Sequence, residues 1–347
     1  MGSCFLPRRS RGALSILALA LLVFLPACNR HHGHVLETMY VSAPQIFLRD
    51  RVAQVYNKVG TVKNGDRVDV LDRDRRFVKV RTASGVEGWI EQRYLIGQSI
   101  FDAFEKLRSE HQNDPAQATG TTRNDTNLHL TPGRETEHLY QLNTGSKVAI
   151  LARGTAAKPG AVAPPPKKGP DAGGPPQPVY EDWWLVRDDQ QHVVGWVLTR
   201  MIDLDVPLEI AQYAEGQRFV GFYALNEVQD GDKKVPQYLA LITEPKDGLP
   251  YDFDQVRVFT WNVRKHRYET AYREHGLNGF LPVTVTHENF GKEGDLPVFI
   301  LHVKDENGNT IERKYKLNTP IVKRVLAPGE EPAKSAKSAG VPRKRKR

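Results

Sequence analysis

The chain has two thiols, Cys4 and Cys28, and no others. A thiolate can serve as a catalytic nucleophile or take a covalent lipid. His31, His32 and His34 stand close together, but no carboxylate or thiol cluster completes a metal site around them. They read as solvated tether residues, with a metal site as the alternative. His32-Gly33-His34 is the only His-x-His, and His-Glu-x-x-His is absent. A Gly-x-Ser-x-Gly elbow is missing, and no Ser-x-x-Lys occurs in the body of the chain, Ser335-Ala336-Lys337 and its neighbours belonging to the last twenty residues. Asp182, Asp188 and Asp189 would have to supply carboxylates for glycoside hydrolysis, but they lie beside turns, where acids are common. The chain reads as a non-enzyme with no catalytic residues, no metal and no cofactor; wall hydrolysis is the weaker reading. The other residues fit for chemistry are aromatic: Phe77, Trp89, Tyr94, Trp183, Trp184 and Trp196. Trp and Tyr join large apolar area to a polar tip, which suits sugar or peptide binding. Trp89 and Trp196 are expected to close cores, whereas strand alternation should turn one of Trp183 and Trp184 outward.

The position of Cys28 gives it meaning. Arg8, Arg9 and Arg11 precede residues 13–25, an apolar run broken only by Ser15. Thirteen residues cannot span a bilayer, which takes about 20, but they fit the apolar core of an export signal. Leu25-Pro26-Ala27-Cys28 follows at once, with Pro26 a less usual choice. The segment resembles a bacterial lipoprotein signal. In that family the cysteine receives a diacylglycerol thioether and becomes the first mature residue, so acyl chains on Cys28 would tie the protein to a bilayer. The alternative is an ordinary cleaved signal with an accidental cysteine. With Cys4 removed and Cys28 lipidated, no disulfide is expected. The resemblance implies the cell envelope, periplasm-facing or extracellular. Asn29, where some bacteria place a retention Asp, leans toward an outer membrane if there is one.

The elements that would position the aromatics come in two similar runs. The first has Phe47-Leu48-Arg49, an Asn64-Gly65 turn, the alternating Arg67-Val68-Asp69-Val70-Leu71, then Phe77-Val78-Lys79-Val80-Arg81 and Gly88-Trp89-Ile90. The second has Leu128-His129-Leu130, Gly145, Lys147-Val148-Ala149-Ile150-Leu151, Trp184-Leu185-Val186-Arg187 and Gly195-Trp196-Val197. A segment rich in Pro, Gly, Ala and Lys, residues 155–178, lengthens the second run and reads as a long exposed loop. Both runs resemble the bacterial SH3 domain through the turn glycine, the alternating strand and the closing Gly-Trp. The second departs at its opening, where Thr131-Pro132-Gly133 replaces the family's Arg-containing turn. The resemblance implies two small β-barrels, at 39–96 and 125–204.

Between them, at 97–124, a helix from Gln98 to about His111 carries Ile100, Phe101, Phe104 and Leu107 on one face. It is expected to dock the barrels together, a partner-binding helix being the alternative, and residues 113–124 read as linker. Residues 205–327 show eight strand-like runs, at 218–225, 237–243, 256–261, 268–273, 281–286, 298–303, 311–317 and 321–325, which point to an all-β sandwich or up-and-down barrel. Trp261 and Tyr268 are expected to pack across a hairpin. Residues 328–347 form a basic tail expected to be disordered; it is solvated or drawn to an anionic surface. The fold class is therefore mainly β: a signal at 1–27, a tether at 28–38, two barrels joined by a short helix, a β domain and the tail.

Of the net charge of +8, the signal carries +3 and the tail +5, so the body between them is neutral. That balance argues against nucleic acid as a partner. The expected function is envelope binding, of peptidoglycan or an envelope protein. The alternative is an assembly or regulatory subunit that binds another envelope protein through its C-terminal β domain, with the barrels as spacers.

Overall fold

The computed structural model describes Gly2, residues 34–164 and residues 175–326. The signal segment with Cys4 and Cys28, tether residues His31 and His32, the centre of the Pro-rich insert and the basic tail lie outside the described residues.

The architecture is mainly β, with three antiparallel seven-stranded sheets in sequence. The first contains β1 (Glu37–Val41), β2 (Gln45–Arg49), β3 (Lys58–Lys63), β4 (Arg67–Asp74), β5 (Phe77–Thr82), β6 (Glu87–Glu91) and β7 (Leu95–Gly97). Their order is β3-β2-β6-β5-β4-β1-β7. Alternation sends Val68, Val70, Val78 and Val80 inward to join Val41, Leu48, Val62 and Ile90 in one core. The Asn64-Gly65 turn does not join paired strands. It is a corner in which the Gly65 N–H donates to the Val41 carbonyl at 2.8 Å, with Gly65 at φ +81°.

The second sheet contains β8 (Ala118–Thr122), β9 (Thr126–His129), β10 (His138–Leu142), β11 (Lys147–Ala163), β12 (Gln177–Asp188), β13 (Val193–Leu198) and β14 (Ile202–Leu204). Its order, β10-β9-β13-β12-β11-β8-β14, repeats that of the first strand for strand. Both Gly-Trp pairs have a steric reason. A Cβ on Gly88 would stand 2.7 Å from the Leu48 Cβ, and one on Gly195 would stand 2.8 Å from the Leu128 Cβ. The strands cross too closely there for any side chain, and the next residue, the Trp, faces away from the crossing.

Two expectations change in this sheet. Residues 118–122, read as linker, are its first strand; their alternation lies in Ala, Gly and Thr, which carry little hydrophobic signal. The insert is not all loop either. Thr155 pairs with Asp182, and the ladder reaches Ala163 opposite Gln177, so the flanks extend the β11–β12 hairpin as a ribbon. Backbone pairing satisfies these residues without a core of their own.

Helix α1 (Gln98–His111) lies between the two sheets. Phe104, 1% exposed, packs in one cluster with Tyr40 and Ile96 of the first and Leu139 of the second. Phe101 stacks on Tyr40 at 3.7 Å, and Phe104 meets Tyr140 edge-on at 5.8 Å.

A short helix, α2 (Leu208–Ala211), leads to the third sheet. This is a meander of β15 (Arg218–Asp230), β16 (Lys233–Thr243), β17 (Phe253–Asn262), β18 (Arg267–Asn289), β19 (Asp295–Lys304), β20 (Thr310–Asn318) and β21 (Ile321–Val325). The runs expected as two strands at 268–273 and 281–286 are both parts of β18. This strand pairs with β17 as far as Gly279 and with β19 from Gly279 onward. Phe253 occupies the space a Cβ on Gly279 would need. Leu239, Leu241, Val256 and Val258 share a core with Phe299, Leu301, Val303, Tyr315 and Leu317 from the later strands.

The second and third sheets are joined by more than the chain. Leu128, Ile150, Trp184 and Val186 belong to the same continuous core as the third sheet. Gln117, fully buried, ties the two. Its side-chain carbonyl accepts from the Tyr223 hydroxyl and the Val283 N–H, each at 2.6 Å, and its backbone carbonyl accepts from the Phe222 N–H at 3.2 Å.

Candidate ligand cleft

A basic concave surface of the first sheet lies where β2, the following loop and the β4–β5 turn converge. Arg49 ends β2 directly opposite Trp89 of β6. The chain then leaves the sheet for a loop that Asp50 closes. One carboxylate oxygen of Asp50 accepts from the Asn57 N–H at 2.9 Å, while the other takes the Asn57 amide at 3.1 Å and Arg51 at 2.8 Å. Those donors, Arg51 foremost, bring the Asp50 pKa down to about 2. Across the cleft, Arg75 turns the chain at φ +53° and delivers Arg76 and Phe77.

Arg49, Arg75, Arg76, Phe77, Glu91 and the loop residues Val52, Ala53 and Gln54 enclose about 610 Å³. The Arg49 guanidinium lies 4.2 Å from the Tyr56 ring centre and 5.1 Å from that of Phe77; Arg76 is 5.4 Å from Phe77. Glu91 meets Arg49 at 3.4 Å and Arg93 at 3.0 Å. Three arginines against one carboxylate leave an excess of positive charge. Guanidinium planes held over aromatic rings offer forked donors of fixed orientation, which match a carboxylate in two parallel hydrogen bonds. The cleft can therefore hold an anionic group beside an apolar surface.

The aromatics singled out from sequence divide. Phe77, 5% exposed, lines the cleft. Trp89 is half-buried on the face away from the core, beside Arg49 and outside the cleft lining, so the core expectation fails for it. Tyr94 packs on the first core, and its hydroxyl accepts from Arg93 at 2.6 Å. Neither Trp183 nor Trp184 turns outward to solvent; they are 2% and 3% exposed. Alternation does separate them, Trp184 pointing into the shared core, but the other face is covered too. There the His129 ring stands edge-on to Trp183 at 5.2 Å. Trp196 is half-buried rather than core, packed beside Gly154 and α1 residue Leu107.

Arg49, Tyr56, Arg75 and Arg76 escaped the sequence reading. Their signal was the runs Arg49-Asp50-Arg51 and Asp72-Arg73-Asp74-Arg75-Arg76, which pass for solvated turns until folding sets them against Phe77.

The second sheet has a smaller cleft of about 360 Å³, whose lining includes His129, Arg134, Trp183 and Arg200. Its charge is largely spent. Arg134 grips Glu181 with two hydrogen bonds, at 2.7 and 2.6 Å, and holds that carboxyl below its ordinary pKa. Burial, and then the nearby His138, lower the pKa of His129. Among the described residues no group of three or more His, Cys, Asp or Glu could hold a metal. Nor is any helix among them long and apolar enough to cross a membrane.

Comparison with known proteins bears on the first sheet. No curated protein matches the chain. Among solved structures, NlpC2 from Trichomonas vaginalis is 12% identical, covering 85% of this chain and 97% of its own, with a TM-score of 0.17. An NlpC/P60 family protein from Bacillus cereus ATCC 10987 is 11% identical over 82% and 95%, with a TM-score of 0.22. Neither score reaches the level of a shared fold. The family model that matches describes a bacterial SH3 domain and covers residues 46–96, the segment that builds the Arg49 cleft. Residues 46–96 are a bacterial SH3 domain.

Proposed function

We propose that this chain is a lipid-anchored protein of the cell envelope whose first SH3 domain binds peptidoglycan, without catalysis. The observation that carries the reading is the coincidence of the bacterial SH3 match with the cleft of Arg49, Arg75, Arg76 and Phe77. Peptidoglycan presents carboxylates on its peptides beside apolar side chains and sugars, and such a ligand meets both halves of that surface. The signal-like segment ending at Cys28 supports acyl anchoring there. The repeated strand order supports reading the second sheet as another SH3 module.

Sedimentation of the purified full-length protein with insoluble peptidoglycan tests the binding. Arg49→Ala and Arg76→Ala together should lower the bound fraction about tenfold, the equivalent of roughly 1.4 kcal/mol. Failure of the unaltered protein to sediment would discard the reading. Replacing Cys28 with Ser should release the protein from membranes and block lipid labelling.

A second reading has its own support. The continuous core and the Gln117 ties make one body of the second and third sheets. On this reading that body recruits another envelope protein and the second module serves as its base. Deleting the cleft arginines would then leave envelope assembly intact.

A further inference from the structure

The third sheet carries a second aromatic cluster, on its face opposite the shared core. Phe219, Phe259 and Tyr268 are buried there against α2 residue Ile210, and Tyr238 and Trp261 pack beside them. At the end where the β15–β16 and β17–β18 turns meet, the cluster opens into a cleft of about 610 Å³. Trp261 and Tyr268 sit directly opposite in register, their rings 5.1 Å apart at 72°.

Both rings are fixed by their polar tips. The Trp261 Nε1–H donates to Asp230 Oδ2 at 2.8 Å, and the Tyr268 hydroxyl donates to the Pro236 carbonyl at 2.7 Å. His266 Nδ1 approaches the same Asp230 oxygen at 2.7 Å. Asp230 is thus occupied as an acceptor, and the tips of the rings are used up within the protein. What remains for a ligand is ring surface held in one orientation, so little ordering entropy is lost on binding, with the exposed carboxylate of α2 residue Glu209 on the rim. Lys233 and Lys234, both exposed, reach the rim on long flexible stems.

A flat, fixed indole suits the C–H face of a pyranose ring, and the amines suit a carboxylate on it. We propose that the Trp261 cleft binds a carboxylated saccharide, the indole stacking on the sugar ring and Lys233 and Lys234 pairing with its acid group. The site lies on a different domain from the Arg49 cleft and stands or falls independently of it.

The chain has five tryptophans, hence five indole N–H signals in a proton–nitrogen spectrum of the full-length protein, and Trp261→Phe identifies one of them. N-acetylmuramic acid should shift the Trp261 signal, and N-acetylglucosamine, which lacks the carboxylate, should need at least tenfold higher concentration. Glucuronate separates the sources: the tighter of the two acidic sugars tells wall glycan from other acidic polysaccharide, and a shift with either supports the assignment. Lys233→Ala with Lys234→Ala should erase the preference for acidic sugars, and these exposed substitutions leave the fold as a control. Arg49→Ala, in the other cleft, should leave the Trp261 shift with each sugar as it was. An unmoved Trp261 signal with both acidic sugars, or equal response to the neutral one, would overturn the proposal.

Discussion

Two positions that correspond in the first and second sheets have opposite fates. Arg76 precedes Phe77 as Asp182 precedes Trp183, and each aromatic faces the matching residue of the next strand, Glu91 or Leu198. Arg76 lies at the rim of an open cleft. Asp182 is fully buried, accepting from Arg153 and Arg218 at 2.7 Å each and from the Gly248 N–H at 2.9 Å, which fastens the second sheet to the third. The same strand path thus leaves charge at an open cleft in one copy and uses it as an internal clamp in the other. What differs is the neighbour: the third sheet packs on the second, while the first keeps its cleft open. A repeated topology need not repeat a site.

Substitution at Asp182 should break this contrast most visibly. Asp182→Ala leaves Arg153, 4% exposed in its side chain, without its closest carboxylate, and removing one partner of a buried pair costs about 3–5 kcal/mol. Urea denaturation should show that loss. Should Asp182→Ala unfold at the same urea concentration as the parent, the clamp is not what joins the two sheets.

The next effect is shared by both copies. Gly88→Ala and Gly195→Ala each drive a methyl group into the strand crossing, at about 1–3 kcal/mol as for other overpacked sites. Similar losses would sharpen the view of two like barrels; a loss in one alone would set the two crossings apart.

Acid should also tell the regions apart. The Asp182 and Glu181 carboxyls are held below their ordinary values. For Asp182 burial pushes upward, but the hydrogen bonds from Arg153 and Gly248 and the nearby guanidinium charges overcome it; for Glu181 the Arg134 hydrogen bond dominates. A carboxyl lowered on folding adds stability above its unfolded pKa and loses it as pH falls through the folded value. Stability of the joined second and third sheets should therefore decline below about pH 4. Asp252, raised by its own burial, works the other way and blunts the slope. Asp182→Asn should flatten the pH dependence measured by thermal melting.

The smallest effect is expected at Arg76. Arg76→Ala, at the open rim, should change stability by no more than about 0.5 kcal/mol while weakening peptidoglycan binding. A large destabilisation would mean that this arginine is structural, and the contrast with Asp182 would vanish.

Much of the architecture could be read directly from the chain. Val68, Val70, Val78 and Val80 alternate because a strand shows successive side chains to opposite faces, and Phe101, Phe104 and Leu107 recur at helical spacing within Gln98–His111. Gly65 and Gly145 take positive φ where the sequence placed turns. These are local rules, decided by backbone geometry within a few residues.

The site was far less legible. Both Trp183 and Trp184 obey alternation, yet neither meets solvent, since what covers the outer face comes from residues distant in sequence. Ala118–Thr122 is a strand because β11 and β14 lie on either side of it, not because Ala, Gly and Thr prefer one. Arg75 and Arg76 become a cleft wall, and Asp182 a clamp, only when other strands arrive beside them. Residue order determined periodicity, turns and the spacing of the aromatics. Tertiary packing decided burial and charge pairing, because both depend on neighbours that local periodicity does not specify.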